Sequence, residues 1–163
     1  MEISNLSTLV LYMVLAMVHS SLAQNLPKDI LLVHNKAREE VVGVELPSLK
    51  WNDTIAAYAH EYASTRLDEC TLVHSDSPYG ENLAMGGGEF TAVQAVNLWV
   101  GEKSNYDYDS NSCREGMCGH YTQVIWKNTL QVGCARLKCT NGEWWFVSCN
   151  YYPPGNYIGQ KPY

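Results

Sequence analysis

Hydrophobic residues recur at helical spacing in three stretches of the chain. The first covers residues 29–44, the second residues 54–67 and the third residues 91–106, and each places charged or polar side chains opposite its apolar stripe. Asn52 or Asp53 can cap the second helix and Thr91 the third. Gly43 and Pro47 end the first. The pattern therefore predicts three amphipathic helices.

Alternating patterns predict strands near the C-terminus. Residues 132–139 and 143–152 alternate as strands, and Thr140-Asn141-Gly142 between them predicts a hairpin with a type I′ turn. Residues 81–85 predict about one helical turn, stopped by the three glycines that follow. Helices first and a hairpin last indicate one α+β domain.

The N-terminal residues have the features of a secretory signal peptide. Residues 9–18 form an apolar run that is too short to span a bilayer, and Ser21-Leu22-Ala23 offers a cleavage site after Ala23. We therefore expect a signal peptide over residues 1–23 and a secreted, extracellular domain over residues 24–163. No second long apolar run follows, so we expect no transmembrane segment.

Charge argues against two classes of partner. The chain has 17 acidic and 11 basic side chains, a formal net charge of −6, and its basic residues are scattered. Nucleic acid is therefore not an expected partner, and neither is an anionic membrane held by charge alone.

The six cysteines predict three disulfides, because their number is even and an exported chain folds in an oxidising compartment. Spacing alone leaves every pairing open. No C-x-x-C motif is present to suggest a zinc–cysteine site, and pairing leaves no thiol for catalysis.

Histidines and carboxylates are the candidates for chemistry. His34 and His60 lie within predicted helices, where a histidine is an ordinary side chain, and Ser64 breaks the H-E-x-x-H pattern that begins at His60. His74 and His120 instead lie in a turn or at the end of an element, each near a cysteine.

Two glutamates accompany these histidines. Glu81 follows His74 across a turn-rich loop, and Glu102 lies on or beside the apolar face of the third helix, where an unpaired carboxylate is costly. Two imidazoles and two carboxylates suit a divalent metal such as zinc, an acid–base pair around a bound water, or a buried hydrogen-bond network. The residues alone do not decide among these three interpretations.

Asn52-Asp53-Thr54 is a sequon for N-glycosylation. A helix-capping role accounts for Asn52 equally well.

Several motifs in order give the chain a family resemblance. Residues 119–126 (GHYTQVIW) and 149–157 (CNYYPPGNY) resemble the paired motifs of the CAP superfamily, named for cysteine-rich secretory proteins, antigen 5 and pathogenesis-related class 1 proteins. Residues 34–38, 78–84 and 98–103 are similar to its plant pathogenesis-related class 1 branch. The resemblance covers the whole predicted mature chain.

The resemblance implies a three-layer α-β-α sandwich with a central cavity. Its tetrad of two histidines and two glutamates would be His74, Glu81, Glu102 and His120. In relatives the histidines can hold zinc or a similar ion, although no cofactor is required. The implied disulfides are Cys70–Cys139, Cys113–Cys118 and Cys134–Cys149.

The resemblance also implies a function. It favours a secreted, monomeric plant defence protein of the apoplast that acts against fungi and oomycetes. Its expected partners are sterols or other lipids of pathogen membranes, with Tyr106 and Tyr108 on the loop that contacts the sterol. Cleavage between Tyr152 and Pro153 would release residues 153–163 as a signalling peptide. The alternative is a metal-dependent hydrolase built on the tetrad, although the family favours a non-enzymatic role.

Overall fold

The computed structural model describes residue 10 and residues 25–163. Apart from residue 10, the predicted signal peptide lies outside the described residues, as does its cleavage site. In the part of the chain that the model describes, no helix has both the length and the apolar character needed to cross a membrane.

The structure has four α-helices in residues 25–163: α1 (Pro27–Glu39), α2 (Asp53–Thr65), α3 (Ala92–Gly101) and α4 (Gly119–Val124). The first three lie where the hydrophobic pattern predicts them, with shorter bounds, whereas the short α4 is not predicted by that pattern. One 3₁₀ turn (Glu102–Asn105) continues α3.

α1 begins at a proline and ends earlier than predicted. Pro27 stands where its missing N–H costs nothing, Asp29 lies in the first turn, and the last turn carries Lys36 and Arg38. The helix stops at Glu39 rather than at residue 44, and the chain then reaches Gly43, whose φ is +84°.

Polar side chains cap the next two helices. Asn52 Oδ1 accepts hydrogen bonds from the backbone N–H groups of Thr54 and Ile55, at 2.9 and 3.1 Å. Thr91 and Gln94 form a reciprocal capping box at the start of α3. The predicted caps are therefore confirmed.

The main sheet has the strand order β1-β5-β6-β2. Its strands are β1 (Lys50–Trp51), β2 (Gly80–Gly87), β5 (Gln131–Lys138) and β6 (Trp144–Tyr152), and a separate pair is β3 (Tyr106–Asp107) with β4 (Ser112–Cys113). β5 and β6 are antiparallel, as predicted, and β1 joins β5 in parallel.

The helical turn predicted for residues 81–85 is wrong. These residues belong to β2, which pairs antiparallel with β6 along its whole length. A segment this short has no marked helical or strand period, so the exposed ladder of β6 decides its structure.

The hairpin between β5 and β6 is confirmed, but the predicted type I′ turn is wrong. Gly142 has a φ of +74°, whereas Asn141 is not among the residues with positive φ. The N–H of Gly142 donates to Cys139 O at 2.9 Å, and Cys139 N donates to Trp144 O at 2.9 Å. This is a longer loop in which a left-handed glycine follows the turn.

Alternation along the strands divides the core into two layers. Val147, Cys149 and Tyr151 of β6 pack with α1, α3 and α4 on one face of the sheet. Phe146 faces the other way and packs with Ala63 of α2. Helices therefore cover both faces, and the three-layer α-β-α sandwich is confirmed.

The described cysteines form three disulfides, and none of them is free. The pairs are Cys70–Cys139, Cys113–Cys118 and Cys134–Cys149, the same pairs that the resemblance implies. Cys113–Cys118 closes the loop immediately before α4.

Candidate functional site

The four residues of the implied tetrad form two histidine–carboxylate pairs. His74 Nδ1 donates to Glu81 Oε1 at 2.8 Å, and His120 Nδ1 donates to Glu102 Oε1 at 2.6 Å. The pairs come from different parts of the fold: Glu81 lies on β2, Glu102 at the end of α3, and His120 in the first turn of α4.

Glu81 is fixed by several donors. Ser75 donates to it through its backbone N–H (2.9 Å) and through its hydroxyl (2.6 Å), and Asn150 of the adjacent strand donates at 3.2 Å. Its side chain is 5% exposed, whereas that of His74 is 64% exposed. A rigid carboxylate thus orients an accessible imidazole.

Glu102 joins the end of α3 to the start of α4. Its Oε2 accepts from the backbone N–H groups of His120 at 3.0 Å and Tyr121 at 3.3 Å. Trp99, one turn earlier on α3, stacks on the His120 ring with centroids 6.1 Å apart. The inward carboxylate predicted from the helix pattern is therefore paired, as its burial requires.

In both histidines Nε2 is the ring nitrogen that is available to bind a ligand. Because each Nδ1–H donates to a carboxylate, the neutral ring presents a lone pair on Nε2. Neither Nε2 atom has a hydrogen-bond partner among the described residues. This donor set fits a metal ion or a polar ligand atom.

The two imidazoles line one cleft of about 370 Å³, together with Glu81, Asn82 and the Cys113–Cys118 disulfide. Glu102 does not line it. Within the described residues, no three histidine, cysteine, aspartate or glutamate side chains lie close enough together to hold a metal ion. A metal held by the two imidazoles alone would therefore have open positions for water or a ligand.

A buried chain of hydrogen bonds connects the cleft to α1. Asn82 Nδ2 donates to His120 O at 3.0 Å and to the Tyr151 hydroxyl at 3.2 Å. Tyr151 donates to His34 Nε2 at 2.9 Å, and His34 Nδ1 donates to Ile30 O at 2.8 Å. Burial lowers the pKa of His34 to about 4 and raises the pKa of Tyr151.

Arg38 anchors the other end of α4. Its guanidinium donates to the carbonyl oxygens of Pro47, Val124, Trp126 and Thr129 at 2.8 to 3.2 Å. Arg38 is 1% exposed, and its burial lowers its pKa to about 10. The residue therefore fixes where α4, and with it His120, lies.

Sequence reasoning missed the roles of His34 and Arg38. A signal was present, because Ile30, His34 and Arg38 follow one another at four-residue spacing and so share the inner face of α1. The residue types made this spacing hard to recognise, since a histidine and an arginine are usually assigned to the flank of a helix rather than to its buried face.

The predicted contact loop borders a second cleft. Tyr106 lines a space of about 290 Å³ with Trp126, Tyr157 and Pro162. Tyr108 does not line it: its ring stacks on Tyr163, with centroids 4.6 Å apart, and its hydroxyl donates to Tyr163 O at 2.6 Å. The structure therefore assigns the two tyrosines different neighbours.

Residues 153–163 have no helix or strand and lie along this second cleft. Gly155 N donates to Gln123 at 2.9 Å, Asn156 Nδ2 donates to Gly119 O at 2.7 Å, and Pro162 O accepts from Lys127 N at 2.7 Å. Asn156 lines both clefts, so the tail forms part of the wall between them.

Comparison with known proteins identifies the family. The model of the cysteine-rich secretory protein family (CAP) matches residues 31–151. Pathogenesis-related protein 1B of Nicotiana tabacum is 56% identical over 159 residues, which is 96% of this chain and 91% of the relative.

Solved structures share the fold. Venom allergen-like protein 4 of Schistosoma mansoni superposes with a TM-score of 0.68 at 29% identity, covering 83% of this chain and 92% of that one. The crystal structure of NaASP2 with Zn²⁺ gives a TM-score of 0.66 at 24% identity, covering 82% of each chain. The chain belongs to the cysteine-rich secretory protein (CAP) family.

Proposed function

We propose that this protein is an extracellular plant defence protein that acts against fungi and oomycetes by binding sterols. The observation that carries the proposal is the match over nearly the whole chain to a protein named for pathogenesis. The three disulfides support an extracellular location, because such bonds persist in oxidising compartments.

The cleft beside Tyr106 supports a sterol as the ligand. Trp126, Tyr157 and Pro162 offer apolar surface for a fused-ring molecule, and nearby amide and hydroxyl groups of Asn111 and Thr122 can take its polar end. A volume of about 290 Å³ lies near the lower end of the range for ligand pockets, so a sterol would be only partly covered.

Saturation binding with a radiolabelled sterol tests this proposal. We expect saturable binding that weakens at least tenfold in Tyr106→Ala. Trp144→Ala is the matched control, since Trp144 is 43% exposed on β6 and does not line the cleft. Absence of saturable binding, or equal loss in both variants, would contradict the sterol proposal.

A second role, as a peptide precursor, is supported by the tail. Residues 153–163 lack regular structure, and residues 156–161 are exposed, so cleavage between Tyr152 and Pro153 would not unravel a helix or strand. Tyr157 and Pro162 line the cleft beside Tyr106, so release of residues 153–163 would also open that cleft. Mass spectrometry of extracellular fluid after infection should detect the residue 153–163 fragment, and its consistent absence would count against release.

Metal binding by His74 and His120 is a further part of the proposal. Their Nε2 lone pairs suit zinc or a similar ion, with Glu81 and Glu102 orienting the rings. A bound zinc ion would polarise water, which is the chemistry that the alternative, a hydrolase, would need. This chain would contribute the two imidazoles and a carboxylate, Glu81, that lines the same cleft.

Calorimetric titration with zinc tests the site. We expect binding near neutral pH that weakens as the pH falls, because a protonated imidazole cannot bind a metal. The double variant His74→Ala/His120→Ala should lose it, while His60→Ala, at an exposed position on α2, should not. If the double variant keeps full antimicrobial action, neither histidine is required for defence, and the tetrad is structural for this purpose.

A further inference from the structure

A third cleft, of about 410 Å³, lies at one end of the main sheet, away from both sites described above. It is referred to as the sheet-end cleft. Its lining residues carry aromatic, amide, hydroxyl and aliphatic groups: Asn52, Thr54, Ile55, Tyr79, Gln131 and Tyr152.

The sheet topology brings these residues together. Asn52 directly follows β1, Tyr79 directly precedes β2, Gln131 begins β5 and Tyr152 ends β6. Gln131 and Tyr152 are paired across the ladder, and Gly80 is paired with Tyr151. The ends of four strands thus lie beside the first turn of α2. These residues are far apart in the sequence, so the sequence alone does not predict that they meet.

Two tyrosine rings meet edge to face in the cleft, with an interplanar angle of 80°. The Tyr79 ring lies 5.2 Å from the Tyr58 ring and 6.2 Å from the Tyr152 ring, between centroids. These contacts hold the rings in place, while Tyr152 remains 49% exposed. Preordered aromatic faces that stay open to solvent lose little entropy when a ligand packs on them.

The polar groups of the cleft define the ligand further. No charged side chain lines it, so it offers nothing to neutralise a phosphate or carboxylate. The amides of Asn52 and Gln131 and the hydroxyl of Thr54 can donate and accept hydrogen bonds. Flat aromatic faces beside neutral donors and acceptors match a neutral sugar, whose C–H faces are apolar and whose rim carries hydroxyl groups.

We propose that the sheet-end cleft is a binding site for a neutral saccharide. Such a saccharide has two possible sources: a glycan on Asn52 of the protein itself, or an external neutral polysaccharide.

The geometry of Asn52 is compatible with glycosylation. Its Oδ1 caps α2 and its Nδ2 donates to Gln131 Oε1 at 2.8 Å. An amide nitrogen has two hydrogens, so attachment of a sugar replaces one and leaves the other for Gln131. Glycosylation therefore preserves the cap, and it would start a glycan inside the cleft that Tyr79 and Tyr152 line.

The first experiment tests the internal source. The full chain is secreted from plant cells as wild type and as Thr54→Val, which removes the sequon but keeps the Asn52 side chain. Intact mass spectrometry should show a glycan on the wild type alone. Thermal unfolding should then show that the glycan stabilises the protein, and that Tyr152→Ala removes most of this gain.

The second experiment tests the external source with the wild-type chain produced unglycosylated in the bacterial periplasm, so that the Thr54 hydroxyl stays in the cleft. Insoluble neutral β-glucan should retain it, and soluble oligosaccharides of that glucan should compete. Tyr79→Leu and Tyr152→Ala should each weaken retention at least tenfold. Tyr157→Ala is the matched control, because Tyr157 is also about half exposed, at 50%, but lies outside the cleft.

Success of either experiment supports the proposal and identifies the source. The proposal is overturned if the wild type shows no tyrosine-dependent glycan stabilisation and the unglycosylated protein shows no tyrosine-dependent retention. Retention that Tyr157→Ala weakens as much as Tyr152→Ala would also overturn it. Circular dichroism of each variant confirms that the fold is intact.

Discussion

His34 should make the stability of this protein strongly dependent on pH. Its ring is fully buried between Ile30 O and the Tyr151 hydroxyl, and desolvation lowers its pKa from the ordinary value of 6.5 to about 4. The unfolded chain therefore binds a proton between these two values while the folded protein does not. Protonation favours the unfolded state, so the free energy of unfolding falls as pH falls through this window.

The size of the effect follows from the two pKa values. A difference of about 2.5 corresponds to about 3 kcal/mol, fully present above pH 6.5 and lost below pH 4. At pH 5 the expected loss is about 2 kcal/mol relative to pH 8. This is a large fraction of the roughly 5–15 kcal/mol that holds a typical domain together.

Urea unfolding at several pH values between 4.5 and 8 measures this loss. His34→Gln removes the titrating group while its amide can still donate to Ile30 O and accept from Tyr151. We expect the curve of unfolding free energy against pH to be about 2 kcal/mol flatter in this variant, since other ionisable groups are common to both proteins. His60→Gln, at an exposed position, should leave the curve unchanged. Parallel curves for wild type and His34→Gln would refute the reasoning.

Two further predictions concern the framework around the site. Arg38→Met should lower the free energy of unfolding, measured by chemical denaturation, by about 3–5 kcal/mol, because buried carbonyl groups lose their charged donor. Arg114→Ala, which removes an exposed ion pair, should lower it by under about 1 kcal/mol. Similar losses in the two variants would contradict this account. Gly133→Ala should cost about 3 kcal/mol or more, since its Cβ would lie 2.2 Å from the backbone N of Ala56. Gly101→Ala meets nothing within 4 Å and should be neutral or slightly stabilising, so a comparable loss there would refute the packing argument.

The histidine–carboxylate pairs connect this framework to the proposed function. His120 is held by Glu102 through the ring and by Asn82 through the backbone, and Asn82 in turn contacts Tyr151. Stability and site geometry therefore depend on the same buried polar groups. A variant of this network should be judged by unfolding and by zinc titration together, because either measurement alone confuses the two roles.

Local chemistry in the sequence determined the positions of α2 and α3, the caps at Asn52 and Thr91, and the β5–β6 hairpin. Each depends on residues within a few positions of one another, where period, capping and turn preference act directly. The even number of cysteines likewise predicted complete pairing, since the reasoning needs only their count and an oxidising compartment.

Tertiary structure decided what depends on distant partners. β2 is a strand because β6 offers it a ladder, although its own residues favour neither structure strongly. His34 and Arg38 are buried because α4 and Tyr151 supply the hydrogen bonds that satisfy them.

The site shows the same division. The sequence motifs identified His74, Glu81, Glu102 and His120, but they could not show that these residues form two pairs whose imidazoles line one cleft. The sheet-end cleft was not visible in the sequence at all, because Tyr79 and Tyr152 meet only through the register of β2, β5 and β6. Sequence patterns record which side of an element is buried, whereas the contacts that make a site depend on how the elements pack.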